Sequence, residues 1–225
     1  MRCIFICRIG FLFSIRDFRM IDPNNHIISR SLLAGVVVGI GGFLLLSSSS
    51  LLAGALLASV CFLSCNILKL NLFTDKSGFL SESIDFRRLF LVLLLNLFAA
   101  FVFGVISKFL SVSISNAADG VLIAEINTDY LSCILKSVVT GFLLMLATES
   151  SIKSKNCIVP IICIIGFIYT ACFNCVLDAF YYGASSLLYE NPSLILRLFV
   201  VAVFNFIGCN LYNLTVNRSF IHFSE

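Results

Sequence analysis

Long apolar runs are the feature that most restricts how this chain folds. Six of them lie near residues 31–50, 51–73, 89–110, 130–148, 157–188 and 193–215. A helix needs about 20 mostly apolar residues to cross the hydrocarbon core of a bilayer. Hydrophobic residues make up 60% of the chain and charged residues only 12%, whereas a soluble domain is about 25% charged. The sequence therefore predicts an integral membrane protein and argues against a soluble enzyme.

The charged and metal-ligating residues exclude two further classes of protein. The net charge is +3, and no basic block is long enough to bind a nucleic acid. Most of the ten cysteines lie in or beside apolar runs, where cysteine behaves as a small hydrophobic residue. Cys172 and Cys175 form one CxxC pair without a second pair nearby, and His26 and His222 lie in the terminal tails. We therefore expect no metal and no cofactor.

Two of the six runs have the composition of interrupted helices. The run at 51–73 ends in a polar stretch that continues to Gly78, and the run at 157–188 is too long for one straight crossing. The second run also contains Pro160, Gly166, Asn174, Asp178 and Gly183. A helix break is tolerated at membrane depth only where the freed backbone is buried in protein or lines a cavity. The sequence thus predicts two broken helices whose ends meet around a passage.

The basic residues indicate an orientation and three segments. With six spans and a cytoplasmic N-terminus, eleven of the 15 Lys and Arg residues lie in cytoplasmic segments, three lie within spans, and only Lys108 lies outside. This is the positive-inside distribution of a cytoplasmic-membrane protein. We predict a cytoplasmic tail at 1–29 that contains a possible interfacial helix, a channel domain at 30–216 and a cytoplasmic tail at 217–225. Translation could start at Met1 or at Met20. An odd number of spans, instead of six, would place the C-terminus outside.

The two halves of the chain resemble each other. Three spans precede an acidic outer loop and three follow it, and the middle span of each half is the interrupted one. Asn96 and Asn205 lie in the third and sixth spans, and each is followed by two large apolar and two small residues. The predicted fold class is therefore an all-α membrane protein with six transmembrane helices in two inverted three-helix repeats. The alternative is that each Asn only bonds a neighbouring helix beside small packing residues.

On these motifs the chain resembles the formate/nitrite transporter family over roughly residues 30–216. Two motifs match: Asn71-Leu-Phe-Thr74 resembles the family's Glu-Leu-Phe-Thr motif, and residues 167–181 resemble its segment around Gly-Phe-Glu-His. The first span is glycine-rich at 33–42, as in the family, and Lys153 lies seven residues before Pro160, as the family's lysine does. Asn96 and Asn205 match the family's asparagines in the third and sixth helices. The resemblance implies an aquaporin-like hourglass pore in each subunit of a homopentamer. It also implies passage of small monovalent anions or their neutral acids, in the class of formate, nitrite, hydrosulfide, acetate and lactate.

The resemblance further implies roles for individual residues. The substrate pathway would consist of apolar constrictions at Leu72, Phe73 and Phe167, a chamber holding Thr74 and Asn174, and Lys153 attracting anions at the cytoplasmic mouth. Asn71, Asn96 and Asn205 would hold the helix breaks.

Three polar residues of the family's pattern are replaced in this chain. The central His falls on Asn174, the Glu before it on Phe173, and the Glu of the second-helix motif on Asn71. An amide does not titrate, so Asn174 can donate and accept hydrogen bonds but cannot supply a proton. A proton that converts the anion to its acid would then come from water.

Simpler interpretations of these residues are also open. Asn174 is a helix cap in the simplest one, Lys153 is an ordinary cytoplasmic charge, and the three constriction residues are packing. Asp178 is either a functional buried carboxylate or a group that faces water at the outer helix end.

Three alternatives apply to the chain as a whole. A divergent homologue that no longer conducts, and acts as a structural or regulatory subunit, is the main one. An aquaglyceroporin-like channel would need two Asn-Pro-Ala turns, whereas only Asn191-Pro192 occurs. A membrane protease is disfavoured because Glu149 is the only acidic residue near a cytoplasmic span end.

Overall fold

The computed structural model describes residues 26–78, 86–154 and 157–221, and in these ranges the backbone forms helices and no strands. The helices are α1 (Ile27–Ser47), α2 (Leu51–Ile67), α3 (Phe73–Ser77), α4 (Phe86–Leu110), α5 (Val112–Ile126), α6 (Tyr130–Ser154), α7 (Ile158–Tyr169), α8 (Cys175–Ala184) and α9 (Ser193–Ile221), with a 3₁₀ turn at Leu187–Tyr189. The predicted interfacial helix near the N-terminus and the end of the C-terminal tail lie outside the described residues.

Four of the described helices, α1, α4, α6 and α9, are long and apolar enough to cross a membrane. Two further apolar helices, α2 and α7, have only 17 and 12 residues. Each of these is followed by a short non-helical segment, at 68–72 and 170–174, and then by a short helix, α3 or α8. The interruptions thus fall in the two runs whose composition predicted them, and the all-α membrane class is confirmed.

The segment between α4 and α6 differs from its prediction as an acidic loop, because it forms the helix α5. Its buried residues are Ile114, Ala118, Leu122 and Glu125. These positions are three or four residues apart, so they form one face of a helix. That face packs against α8. The polar residues between them hid this spacing in the sequence.

The two short helices that follow the breaks each pack among helices of the other half of the chain. The helix α8 contacts α1 and α4, and α3 contacts α6 and α9. The thiol of Cys209 on α9 donates to the carbonyls of Thr74 on α3 and Gly141 on α6, over 3.3 and 3.2 Å. The first and second halves therefore share one core.

Glycines allow the long helices to approach at backbone contact. A Cβ added to Gly104 on α4 would collide with the Phe180 carbonyl of α8, and a Cβ on Gly183 would collide with the Phe101 carbonyl in return. The pair α6 and α9 is built in the same way around Gly141 and Gly208. Small residues at helix crossings are the usual means of close packing in membranes.

We expect Gly141→Ala and Gly208→Ala each to destabilise the protein by about 1–3 kcal/mol, because the added methyl group overpacks a backbone crossing. Gly166→Ala is the matched control, since a Cβ there meets no atom within 4 Å. Thermal melting in detergent measures the effect. Equal melting temperatures for Gly166→Ala and Gly141→Ala would contradict the close approach of α6 and α9.

Candidate functional site

The first helix break is a tight turn after α2. Lys69 has a positive φ of 54°. The N–H of Leu70 donates to the Cys65 carbonyl at 2.8 Å, and the N–H of Lys69 donates to the Asn66 carbonyl at 3.2 Å. This pair of bonds is the Schellman arrangement that ends a helix. It turns the chain within the protein interior, so that α3 can begin at Phe73.

The second break repeats this turn after α7. Ala171 has a φ of 46°. The N–H of Cys172 donates to the Phe167 carbonyl at 3.0 Å, and the N–H of Ala171 donates to the Ile168 carbonyl at 3.1 Å. A residue other than glycine with a positive φ, in the left-handed region of backbone conformation, costs on the order of 1–3 kcal/mol. The contacts around each break must therefore hold the turn in place.

Asn96 on α4 supplies those contacts at the first break. Its amide donates to the carbonyls of Ser31 and Asn71, at 2.7 and 3.0 Å, and its Oδ1 accepts from the N–H of Phe73 at 2.7 Å. One fully buried side chain thus satisfies a carbonyl within the break and the first N–H of α3, and it links both to α1.

Asn205 on α9 makes the equivalent three bonds at the second break. Its amide donates to the carbonyls of Ser137 and Phe173, at 2.8 and 3.0 Å, and its Oδ1 accepts from the N–H of Cys175 at 2.9 Å. Backbone groups that a helix break exposes inside a membrane need such partners.

Asn174 caps the N-terminus of α8. Its Oδ1 accepts from the N–H groups of Val176 and Leu177, both at 3.0 Å. Its Nδ2 is buried and has no hydrogen-bond partner among the described residues. The interpretation of Asn174 as a cap is therefore correct. The two bonds to its oxygen fix the orientation of the side-chain amide, and its two N–H donors remain unused.

Two more polar side chains at the breaks have unused groups. Thr74 Oγ1 and Asn71 Nδ2 are buried without a hydrogen-bond partner in the described part of the chain. Thr74 and Asn174 therefore do not bond each other. A buried polar group without a partner costs about 1–3 kcal/mol, so these atoms are suited to contact water or a small polar molecule.

The three residues assigned to constrictions lie in the apolar core. Leu72, Phe73 and Phe167 are all buried. The ring of Phe167 meets the ring of Phe62 on α2 edge-on, with centroids 5.8 Å apart. The structure places these side chains next to the two breaks, in contact with packed neighbours.

Lys153 lies at the end of α6 and is paired. Its Nζ is 2.6 Å from Glu149 Oε2, and its side chain is 44% exposed. The pair leaves Lys153 accessible to ions in water while it offsets much of the lysine charge. Phe173 has the Lys136 ammonium 5.5 Å from its ring centroid.

Three charged residues lie deeper than the sequence suggested. Lys76 was assigned to a water-facing cytoplasmic segment, but α3 returns the chain into the interior, and Lys76 is 1% exposed. The adjacent Asp75 accepts a hydrogen bond from Thr148 Oγ1 at 3.0 Å. Asp178 does not face water at the outer helix end, because it is only 4% exposed. The available signal was a charge directly after an interrupted apolar run for Asp75 and Lys76, and a carboxylate within such a run for Asp178.

Comparison with known proteins finds the fold but no sequence relative. No family model matches the sequence, and no curated protein matches it. A solved structure described as a pentameric formate channel with formate bound matches with a TM-score of 0.71 at 15% sequence identity. The match covers 88% of this chain and 96% of the other. The chain therefore has a multi-pass, all-helical membrane fold. Within that type, its fold is similar to that of a formate channel.

We expect Asn96→Ala and Asn205→Ala each to destabilise the protein by about 3 kcal/mol or more, because each leaves a buried carbonyl and a buried N–H at a break without partners. Asn127→Ala is the control, since that side chain is exposed at the end of α5. Thermal melting in detergent measures the difference. If Asn205→Ala and Asn127→Ala had the same melting temperature, the Asn205 side chain would not be stabilising the second break.

Proposed function

We propose that the protein is a membrane channel, and not an enzyme, for small monovalent anions or their neutral acids. The class includes formate, nitrite, hydrosulfide, acetate and lactate. The observation that carries the proposal is the pair of matching helix breaks, in a fold similar to that of a pentameric formate channel. Each break leaves polar side-chain atoms unpaired beside buried apolar residues, as a passage for a small polar molecule requires.

The proposed architecture has six spans in two inverted repeats. The helix pairs α2 with α3 and α7 with α8 each make one interrupted span. The equivalent residues of the breaks are Cys65 and Phe167, Lys69 and Ala171, and Phe73 and Cys175, so the two members of each pair are 102 residues apart. Three spans per half is an odd number, and the second half would therefore cross the membrane in the opposite direction.

The proposed pathway runs between the two breaks. An ion loses many kcal/mol of hydration if it enters dry hydrocarbon, so Leu72, Phe73 and Phe167 would admit the neutral acid far better than its anion. The unused donors of Asn174 and the hydroxyl of Thr74 would bond the substrate's oxygen atoms between these constrictions. The N-terminus of α8 adds partial positive charge at the same place.

Lys153 would contribute to the cytoplasmic mouth. An exposed charge attracts an anion by roughly 1 kcal/mol in a wet vestibule. The ion pair with Glu149 reduces that attraction, so Lys153 would act as a minor element of the pathway. Asn71, Asn96 and Asn205 would serve to hold the breaks.

The proposed assembly is a homopentamer in the cytoplasmic membrane, with residues 30–216 as the channel domain and both termini in the cytoplasm. Support comes from the distribution of Lys and Arg and from the outer surface of the helices. On α4, Phe90, Phe98 and Phe109 are exposed, which suits contact with lipid or with another subunit.

A second candidate function is that of a homologue that does not conduct. The edge-on contact between Phe62 and Phe167 favours it, because two packed rings next to the break would obstruct a passage. The replacement of the family's titratable central residue by Asn174 favours it as well.

Uptake of labelled formate into proteoliposomes separates the two candidates. We expect uptake above that of empty liposomes, faster at pH 5 than at pH 7, because roughly a hundredfold more neutral acid is present at the lower pH. Nitrite, hydrosulfide, acetate and lactate complete the panel. A protein that melts cooperatively and passes none of the five would be the subunit that does not conduct.

Two substitutions distinguish a role of Asn174 in binding the substrate from its role as a helix cap. Asn174→Ser keeps an N-cap oxygen of similar quality but removes the amide donors, and Asn174→Ala removes both. We expect each to lower formate uptake by about tenfold, the effect of one lost hydrogen bond of about 1.4 kcal/mol. Only Asn174→Ala should also lose about 1 kcal/mol of stability. Uptake by Asn174→Ser at the wild-type rate would show that Asn174 serves only as a cap.

A further inference from the structure

Asp178 is a buried carboxylate at the second break with an oxygen to spare. Its side chain is 4% exposed, and its Oδ2 has no hydrogen-bond partner within the described ranges. Side chains on a helix lean toward its N-terminus, and the backbone N–H of Asn174 faces the Asp178 carboxylate. The acid therefore lies one helical turn from the capping amide, at the place where the proposed pathway has its free donors.

A second buried carboxylate lies beside it. Glu125, at the end of α5, is 2% exposed, and its Oε1 accepts a hydrogen bond from the Tyr182 hydroxyl at 2.6 Å. Tyr182 lies one helical turn beyond Asp178 on α8, so the bond to its hydroxyl brings Glu125 to the same part of α8, and the two carboxylate charges repel each other. Asn174, Asp178 and Tyr182 are spaced by four residues, so a row of polar side chains leads along one side of α8 from the break toward α5.

One cation belongs to this cluster. Arg197 on α9 donates to the carbonyls of Glu125 and Thr128, at 2.9 and 2.8 Å. Its positive charge stabilises the Glu125 carboxylate. With both acids ionised the cluster would carry two negative charges and one positive, and a single bound proton makes it neutral. Two carboxylates this close in a buried site do not readily ionise together.

The remaining titratable groups around Asp178 do not change this balance. Cys133 from α6 and Cys175, Tyr181 and Tyr182 from α8 face it, and thiols and phenols are uncharged near pH 7. On α4, Lys108 donates to the Ser185 carbonyl at the far end of α8. Burial raises the pKa of Glu125 above its ordinary value, against the opposing effects of the Tyr182 hydroxyl and Arg197.

We propose that Asp178 and Glu125 form a shared-proton site that protonates an anion held by Asn174. In the transfer, the O–H bond of Asp178 breaks as a bond forms between that proton and an oxygen of the anion. The products are the neutral acid and the Asp178 carboxylate. Both acids are then ionised, so Glu125 first takes a proton from water at the outer side, leaving hydroxide there. It passes that proton to the Asp178 carboxylate, which restores the singly protonated pair. The transfer step rests on the proposed channel function, whereas proton binding by the pair does not.

Infrared difference spectra between acid and alkaline pH test proton binding without any transport. We expect a carboxylic acid C=O band that titrates near neutral pH in the wild type. It should be lost or shifted in Asp178→Asn and Glu125→Gln. Asp129→Asn is the control, because Asp129 is an exposed carboxylate bonded to Ser132 on the same outer side, and it should leave the band unchanged. A band that is identical in all four proteins would overturn the proton site.

Tyr182→Phe provides a variant that keeps the packing of the ring. Without the hydroxyl the Glu125 carboxylate loses a donor, so the midpoint of the band should move to higher pH. An unmoved midpoint would contradict a proton shared through Glu125.

Uptake measurements test the transfer step. We expect formate uptake driven by an outside-acid gradient to fall at least about tenfold in Asp178→Asn and Glu125→Gln, and to stay at the wild-type level in Asp129→Asn. Wild-type uptake in the first two variants, together with a lost infrared band, would overturn transfer while the channel function stands. A wild-type protein that passes no anion would overturn the channel function and the transfer, and the band would still decide whether the pair binds a proton.

Discussion

Backbone groups inside a membrane must find partners within the protein, and two broken helices make that demand acute. Asn96 and Asn205 meet it. Each makes three hydrogen bonds to backbone atoms: one on α1 or α6, one within the break, and one at the start of the short helix that follows. Without these amides the backbone groups at the ends of the segments 68–72 and 170–174 would lose their partners. The positions of α3 and α8, and of every side chain on them, follow from that arrangement.

The buried polar atoms that remain unpaired are concentrated near the breaks. Asn71, Thr74, Asn174 and Asp178 each have one, while the long helices around them are joined by apolar side chains and glycines. The backbone groups at the breaks have the asparagine partners described above, whereas these side-chain groups have none, so they are available where the proposed pathway runs. This contrast, more than any single residue, supports a transport function over a purely structural one.

Much of this organisation could be predicted from the sequence, because membrane-spanning helices are recognisable as continuous apolar runs. Both interruptions, and the asparagines that hold them, could be found from polar residues inside those runs. Other features depend on three-dimensional contacts. Lys76 follows the apolar run as a loop residue would, and only the return of α3 into the core buries it. The buried face of α5 depends on α8, which comes later in the chain, and the burial of Asp178 on α8 depends on the helices packed around it.

The exchange of short helices between the two halves affects how the chain can assemble. During synthesis the first half enters the bilayer before α6 and α9 exist, so α3 then lacks the neighbours that enclose it, including the Cys209 thiol that bonds its backbone. The N-terminal half is therefore incompletely packed until the second half is inserted, and until then Lys76 and Asp75 are not covered by it. Neither half is a self-sufficient folding unit, and the finished core closes only when the last helix arrives.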